Sequence, residues 1–263
     1  MRNNIDKGNS FDWGKTSENY AKYRDIYPKE FYESIIDLGL CTKGQNVLDL
    51  GTGTGVLPRN MYPWGAKFTG ADISENQIIE ARKLSTANNM DIEYIVSSAE
   101  NIDFPPNSFD AVTACQCHIY FDKNVVLNKI NDILKPKGHF CILWMAWLPY
   151  EDEIAKKSED LVLKYNPDWT GCNAVRPSIE QLKSTWDNSL FEIKEAKIYD
   201  LKVPFTKESW NGRIIACRGI GASMMSPEEI KRFESEHLQM LAAMPEVFEI
   251  LHYVTIIDLQ KRI

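Results

Sequence analysis

The sequence predicts an α/β fold built on a mostly parallel β-sheet with helices on both faces. Short apolar runs alternate with helical patterns along the chain, as is typical of such sheets. One apolar run, residues 47–50, ends in glycines at 51, 53 and 55. Glycines at the carboxyl end of a buried strand let the backbone turn sharply and approach a ligand closely. The next apolar run ends at Asp72, an acid placed to accept hydrogen bonds from a ribose diol.

Five apolar runs are the expected strands of the sheet, and helical patterns lie between them. These strands are 46–50, 67–72, 92–97, 109–114 and 139–145. Ser74 to Gln77 predicts a capping box at the start of one helix, and Asp122 predicts the cap of a later helix. Ser226, Pro227 and Glu229 indicate a further helix start.

The spacing of the glycines argues against a dinucleotide ligand. A dinucleotide turn has the pattern G-x-G-x-x-G, whereas this chain has G-x-G-x-G with Val56 at the third position. Asp49, inside the strand, would repel a diphosphate but suits a ligand with an ammonium group. The run from Leu48 to Gly55 resembles the first motif of the class I S-adenosylmethionine (SAM)-dependent methyltransferases.

Four further segments resemble motifs of this family and occur in the family's order. They are Gly70 to Ser74, similar to the ribose-binding motif; Ser98 to Phe104, similar to the adenine-contacting segment; Ser108 to Val112, similar to the fourth strand; and Leu134 to His139, similar to the turn before the fifth strand, with Lys137 in place of a glycine. The resemblance is specific over about residues 11–145 and looser beyond. It therefore covers the whole of the expected cofactor site.

The resemblance implies a Rossmann-like sheet of seven strands in the order 3-2-1-4-5-7-6, within a single methyltransferase domain. Two runs of strand composition, 190–200 and 251–259, are then the hairpin at the sheet edge. We expect residues 1–36 to form N-terminal lid helices, 37–145 the SAM-binding core, 146–248 a helical insertion or cap with the strand at 190–200, and 249–263 the last strand. Residues 204–248 should cover the carboxyl ends of the strands, and the glycine-containing run 218–223 should be mobile.

The position of each residue in these motifs assigns a set of cofactor contacts. Gly51, Thr52 and Gly53 should bring backbone against the methionine part of SAM, and Asp49 should reach its ammonium directly or through water. Asp72 should hold the ribose hydroxyls; a helix-capping acid is the alternative. The other expected contacts are Ile73, Ala99 and Glu100 at the adenine, Gln116 at the ammonium and Arg24 at the carboxylate, with Tyr23 binding the cofactor from the same N-terminal lid. It is equally open that Glu100 is simply an exposed acid. It is equally open that Tyr23 and Arg24 belong to an ordinary amphipathic helix without a role in binding.

The expected acceptor site combines aromatic side chains with a few polar ones. The candidates are Tyr20, His118, Tyr120, Trp144, Trp147 and Arg213. His118 is the candidate catalytic base, and a packed histidine is the alternative. A base is needed only if the acceptor holds its proton at neutral pH, since methyl transfer depends mainly on orientation and exclusion of water. Arg213 and Arg218 flank an apolar stripe, where each could hold an acidic acceptor or lie exposed in solvent.

Composition restricts the classes of partner. The 263 residues are 44% hydrophobic and 25% charged, as in ordinary globular proteins, and carry a net charge of −7. That charge argues against nucleic acid or an anionic membrane, so we expect a small-molecule substrate and a cytoplasmic location. Cys115 and Cys117 lack the companion ligands of a metal site, and no metal is expected.

Two other functions stay open at this point. The first is an NAD-dependent oxidoreductase of the Rossmann type, disfavoured by the missing third glycine and by the absence of a Tyr-x-x-x-Lys pattern. The second is a SAM-binding protein without transferase activity. The acceptor atom and the oligomeric state are left open as well.

Overall fold

The computed structural model describes residues 5–262 and confirms the predicted α/β class. Its seven-stranded sheet has the order β3-β2-β1-β4-β5-β7-β6, as predicted. The strands are β1 (Asn46–Leu50), β2 (Lys67–Asp72), β3 (Glu93–Val96), β4 (Phe109–Cys115), β5 (Leu134–Trp147), β6 (Phe191–Thr206) and β7 (Val247–Lys261). Strands β1 to β5 pair in parallel, whereas β7 is antiparallel to both β5 and β6.

Helices cover both faces of this sheet. They are α1 (Ser17–Tyr23), α2 (Lys29–Ile36), α3 (Val56–Met61), α4 (Glu75–Ala87), α5 (Lys123–Ile133), α6 (Glu153–Tyr165), α7 (Ile179–Trp186), α8 (Lys207–Ile215) and α9 (Pro227–Leu241). Because successive side chains of a strand point to opposite faces, Val47 and its neighbour Leu48 belong to different apolar layers. The layer of Val47 contains residues of α2, α6, α8 and α9, and the layer of Leu48 contains residues of α5 and α7. Within residues 5–262 no helix is both long and apolar enough to cross a lipid bilayer.

The edge hairpin is longer than the sequence indicates. Its strands pair from Phe191 opposite Lys261 to Thr206 opposite Val247, with one register shift between Ile193 and Glu195, and extend well beyond the predicted limits of 200 and 251. In β5, the last residue, Trp147, lies opposite His252 of β7. The segment between β6 and β7 therefore leaves the sheet at the carboxyl edge of the parallel strands, where a cap would have to begin.

All three predicted helix starts are confirmed, and two of them have the predicted side-chain cap. The Asp122 carboxylate accepts from the first backbone N–H groups of α5, and Ser226 forms a full capping box with Glu229 at α9. The capping box at Ser74 is wrong, because the Ser74 side chain makes no capping hydrogen bond. Instead the Asp72 carboxylate accepts from the Ser74 N–H at 2.9 Å, a local turn that an acid two residues earlier readily forms.

The run 218–223 is packed in the interior, so the expectation that it is mobile is wrong. The Ala222 carbonyl accepts a hydrogen bond of 2.8 Å from the Asp12 N–H, which ties the run to the N-terminal segment. A Cβ added to Gly219 would lie 2.7 Å from a Val162 methyl group. Glycine at this position therefore permits close packing against α6, and flexibility does not explain it.

Candidate active site

A cavity of about 610 Å³ lies at the carboxyl ends of the parallel strands. Its lining includes the turn after β1, the end of β2, the ends of β4 and β5, the N-terminal segment and residues that follow α8. Open α/β sheets bind ligands at this edge, and the volume suits a bound small molecule. The cavity has two ends, which we call the glycine end (the turn after β1, with Asp72, Ile73, Ala99 and Glu100) and the aromatic end (Tyr120, Trp144, Trp147, Trp169 and Tyr253).

At the glycine end the backbone itself faces the cavity. Gly51, Gly53 and Gly55 all have positive φ, at 63°, 56° and 73°. A Cβ at Gly51 would lie 2.6 Å from the Cβ of Cys117, and a Cβ at Gly55 would lie 2.2 Å from the hydroxyl oxygen of Tyr94. The turn therefore requires glycine for its conformation and also for the space around it. Gly51 and Gly53 line the cavity without side chains that would fill it.

Asp72 is fixed beside this turn. One carboxylate oxygen accepts from the Gly53 N–H and the other from the Ser74 N–H, both at 2.9 Å. Burial raises the pKa of Asp72, and these backbone donors oppose that effect. Each oxygen keeps lone-pair capacity for a second hydrogen bond, so the carboxylate can still accept from a ligand diol.

Asp49 and Thr52 support the turn from within the sheet and are not among the described residues that line the cavity. The register of β1 and β4 places Asp49 beside Thr113, whose hydroxyl donates to the Asp49 carboxylate at 2.7 Å. Burial raises the pKa of Asp49 to about 7, and the hydrogen bond from Thr113 opposes the shift. The expectation that Asp49 reaches the ligand directly is thus not supported, because its partner lies within the sheet.

The predicted adenine contacts lie together at the mouth of the glycine end. Ile73, Ala99 and Glu100 all line the cavity, and the Ile73 side chain is 63% exposed although it is large and apolar. One Glu100 oxygen accepts from the Asp122 N–H at 2.9 Å, so Glu100 is held against the start of α5. An exposed apolar side chain next to a ribose-binding acid is a suitable platform for a flat ring.

Gln116 forms the cavity floor between the two ends. Its φ is 64°, and this left-handed residue ends β4. The Gln116 N–H donates to the Leu143 carbonyl at 3.0 Å, and its side-chain amide donates to the Met145 carbonyl. The turn is therefore anchored to β5 by both backbone and side chain.

From the N-terminal segment, Tyr20 and Arg24 line the cavity and Tyr23 does not. Tyr20 and Arg24 are four residues apart and share one helix face, with the Arg24 guanidinium 4.6 Å from the centre of the Tyr20 ring. Tyr23 lies on another face, where its hydroxyl donates to Glu208 at 2.9 Å and its ring packs against Gly212 of α8. The predicted role of Tyr23 in cofactor binding is therefore wrong, whereas that of Arg24 stays a prediction.

His118 faces away from the cavity, and its predicted place in the acceptor site is wrong. Its ring packs against Trp144 at 5.3 Å and against Trp186 at 5.5 Å between ring centres. The tight turn His118–Tyr120 after β4 directs Tyr120 into the cavity and His118 toward the layer beneath it. The geometry therefore favours the alternative of a packed histidine over a catalytic base.

Aromatic side chains dominate the other end of the cavity. Tyr120, Trp144 and Trp147 line it as predicted. Sequence reasoning missed four aromatic lining residues, Phe11, Trp13, Trp169 and Tyr253. It also missed the loop 169–175, in which neighbours of Trp169 line the cavity as well. The loop has no periodic pattern, and its one informative feature is a tryptophan in an otherwise small and polar run.

Arg213 in α8 and Arg218, which follows α8, are both buried, so the alternative that these side chains lie exposed in solvent is wrong. Arg218 is ion-paired with Asp6 at 3.1 Å and donates to the Tyr120 hydroxyl at 2.7 Å. Arg213 donates to the Cys217 sulfur at 3.0 Å and lies 4.9 Å from the Trp147 ring centre. Both arginines line the cavity.

Comparison with known proteins agrees with this fold and site. A methyltransferase domain family matches residues 48–142. The ubiquinone biosynthesis O-methyltransferase of Neisseria meningitidis is 32% identical over 130 residues, which cover 48% of this chain and 53% of that protein. The chain thus spans about half the length of the curated relatives that it matches.

Solved structures share the fold over nearly the whole chain. The [4+2]-cyclase SpnF aligns with a TM-score of 0.60 at 15% identity, covering 95% of this chain and 94% of its own. A phosphoethanolamine N-methyltransferase from Haemonchus contortus, solved with phosphomonomethylethanolamine and S-adenosylhomocysteine, aligns with a TM-score of 0.56 at 19% identity, covering 98% of this chain and 58% of its own. The family match over residues 48–142, the strand order and the shared fold show that this chain is similar to the class I SAM-dependent methyltransferases and has their fold.

Proposed function

We propose that this protein transfers the methyl group of SAM to a small-molecule acceptor by direct in-line displacement. The observation that carries the proposal is the pairing of Asp72 with the Gly53 N–H at the edge of a cavity that the glycine turn leaves open. The match of residues 48–142 to a methyltransferase domain family supports the choice of SAM over a dinucleotide. The concave, aromatic lining of the cavity supports a small acceptor over a polymer.

The glycine end fits SAM by the chemistry of its groups. The cavity there is open because Gly51 and Gly53 carry no side chain, and a half-buried acid, Asp72, has lone pairs for a ribose diol. Ile73 offers an apolar surface for the adenine, and Arg24 offers two parallel donors for a carboxylate. When bound, SAM supplies an electrophilic methyl group on a sulfonium.

The aromatic end would orient the acceptor and exclude water. The rings of Tyr120, Trp144 and Trp147 line this end, and these largely apolar surfaces lose few hydrogen bonds when a ligand displaces water from them. No histidine is present in the cavity lining of residues 5–262. We therefore expect orientation and dehydration to provide the acceleration, with an acceptor that is already deprotonated at neutral pH.

The compartment is part of the same proposal. Six cysteines are free in the structure and four of them are buried. Free thiols fit a reducing environment, and we propose a cytoplasmic location on that basis.

Calorimetric titration of the purified protein with SAM, S-adenosylhomocysteine and NAD tests the cofactor. We expect both adenosyl ligands to bind at micromolar concentration and NAD to give no measurable heat. Incubation with SAM and a deproteinised metabolite extract, followed by mass spectrometry, should then show an extract component that gains a methyl group. Tighter binding of NAD than of either adenosyl ligand would contradict the proposal.

A second candidate function is SAM binding without methyl transfer. It has a specific observation in its favour, since the fold is shared with a protein described as a [4+2]-cyclase, and a fold does not fix a reaction. The two candidates differ in the fate of SAM. A methyltransferase consumes SAM and releases S-adenosylhomocysteine in proportion to methylated product, whereas a non-transferring protein leaves SAM intact while the extract component changes or stays the same.

A further inference from the structure

Within residues 5–262, Arg213 is a buried cation without an anionic partner. Arg213 is only 5% exposed, and its Nε atom has no hydrogen-bond partner among the described residues. The described acids form no ion pair with it; its one donated hydrogen bond is to the Cys217 sulfur, a weak acceptor. The guanidinium lies against the Trp147 ring, and Arg213, Cys217 and Trp147 all line the same cavity.

Such an arrangement is costly unless an anion enters the cavity. Burial lowers the pKa of Arg213, and the neighbouring charge of Arg24 lowers it further. Arginine nevertheless keeps its proton in proteins, so the charge stays in the interior. A buried charge that lacks its partner destabilises the folded state strongly, because it has lost its hydration without gaining an ion pair. A ligand that supplies the negative charge would recover much of that cost.

The other cations of the cavity already have a role. Arg218 is ion-paired with Asp6, so its charge is balanced. Arg24 stacks on Tyr20, whose ring would lie 3.4 Å from a Cβ at Gly53, which places Arg24 at the glycine end. We therefore assign Arg24 to the carboxylate of SAM. Arg213, whose guanidinium lies 4.9 Å from the Trp147 ring centre, then remains for a ligand at the aromatic end.

The surroundings of Arg213 also describe the rest of the acceptor. Trp144, Trp147, Trp169 and Tyr253 line the aromatic end, and flat apolar surfaces of this kind favour an aromatic or aliphatic body. Bound SAM would leave the ammonium and sulfonium charges in the cavity after Arg24 balances its carboxylate. The acids Asp72 and Glu100 lie at the glycine end, so the unbalanced positive charge is at the aromatic end, where Arg213 favours an anion over a neutral molecule or a cation.

We propose that the methyl acceptor is an apolar-bodied molecule with one carboxylate, and that this carboxylate binds Arg213. The proposal rests on the proposed function, because it concerns the acceptor of that reaction. A single unbalanced guanidinium matches a monoanion better than a phosphate monoester, which carries nearly two charges. Arg213 acts here as a specificity residue that anchors the acceptor and takes no part in bond making.

Probe binding to protein saturated with S-adenosylhomocysteine tests the proposal. The probes are 3-phenylpropanoate and its neutral isostere 3-phenylpropanamide, with phenyl phosphate as the dianion. We expect calorimetry to show the carboxylate binding at least about tenfold more tightly than the amide, as a charge-assisted bidentate pair would give. Arg213→Met should abolish this preference and Arg213→Lys should keep part of it. Arg232→Met, an exposed arginine on α9, is the matched control and should leave the preference intact.

The affinity for S-adenosylhomocysteine, measured first in every variant, separates the possible failures. Failure of the wild-type protein to bind it would contradict the proposed function. Normal cofactor binding together with equal affinity for acid and amide, no binding of either probe, or tighter binding of phenyl phosphate would overturn the inference. The same holds if Arg213→Met weakens S-adenosylhomocysteine as much as Arg24→Met does, because Arg213 would then serve the cofactor. If Arg213→Met fails to fold, the graded loss in Arg213→Lys decides.

Discussion

The two ends of the cavity are built in different ways. The glycine end is made of backbone and one acid at the ends of adjacent strands, so sheet register fixes its geometry. The key contact, Gly53 N–H to Asp72, joins the ends of the neighbouring strands β1 and β2. The aromatic end is made of side chains from segments far apart in the chain, as in the network of Asp6, Tyr120 and Arg218. The first construction depends on a local motif and the sheet register, whereas the second depends on contacts between segments that are distant in sequence.

The largest expected effect comes from filling the glycine turn. Gly55 and Gly39 share a φ of 73°, but a Cβ at Gly55 would overlap Tyr94, while nothing lies within 4 Å of a Cβ at Gly39. Gly39→Ala should therefore cost only backbone strain, about 1 kcal/mol of unfolding free energy. Gly55→Ala adds overpacking and should cost about 5 kcal/mol. Urea unfolding of both variants measures the difference in unfolding free energy. Equal losses in the two variants would show that the turn can accommodate a Cβ at Gly55.

Asp49 should make the glycine end sensitive to rising pH. Its pKa is about 7 in the folded protein, above the usual 3.8, so the folded state holds a proton that the unfolded chain releases. The resulting stabilisation is complete below about pH 4 and is lost as pH rises through 7, by about 4 kcal/mol at most. Asp49→Asn can still accept from Thr113 and should remove this loss. Parallel pH profiles of unfolding free energy for wild type and variant would contradict the assignment.

His237, in the helical layer below the aromatic end, should show the opposite dependence. It is buried between Asn211 and Ser158, and burial lowers its pKa from 6.5 to about 4. The folded state therefore excludes a proton that the unfolded chain binds, and stability present above pH 6.5 is lost as pH falls toward 4, by about 3 kcal/mol. His237→Gln keeps polar partners and should flatten this acid limb, as unfolding at pH values from about 4 to 7 would show. If the variant kept the acid limb of the wild-type protein, a group other than His237 would be responsible for that loss of stability.

Much of the fold was predictable because buried parallel strands leave a continuous apolar pattern. The limits of β1 and β2 agree with the sequence to the residue, and the strand order follows from the motif order. Near the start of β5, where the register with β4 shifts, Lys137 has a φ of 63°, which explains why the family resemblance has a glycine at that position. Residue types and their spacing in the sequence indicate local backbone requirements of this kind.

The rest was not predictable because it depends on where side chains point after an irregular turn. His118 and Tyr120 are two residues apart in one tight turn, yet only Tyr120 reaches the cavity. Likewise, burial of Arg218 depends on Asp6, and nothing local to either residue indicates the other. Long-range pairs between loops leave no periodicity in the sequence, so they become visible only in the fold.

The difference between the two ends predicts how they divide ligand binding. Asp72→Ala removes hydrogen bonds to a ribose at the glycine end, and Arg213→Met removes a charge at the aromatic end. Calorimetric titration of both variants with S-adenosylhomocysteine tests the central claim most directly. We predict that Asp72→Ala binds it at least about tenfold more weakly than wild type, from the loss of charge-assisted hydrogen bonds, while Arg213→Met stays within about threefold. Wild-type affinity in Asp72→Ala, or a larger loss in Arg213→Met, would contradict the account.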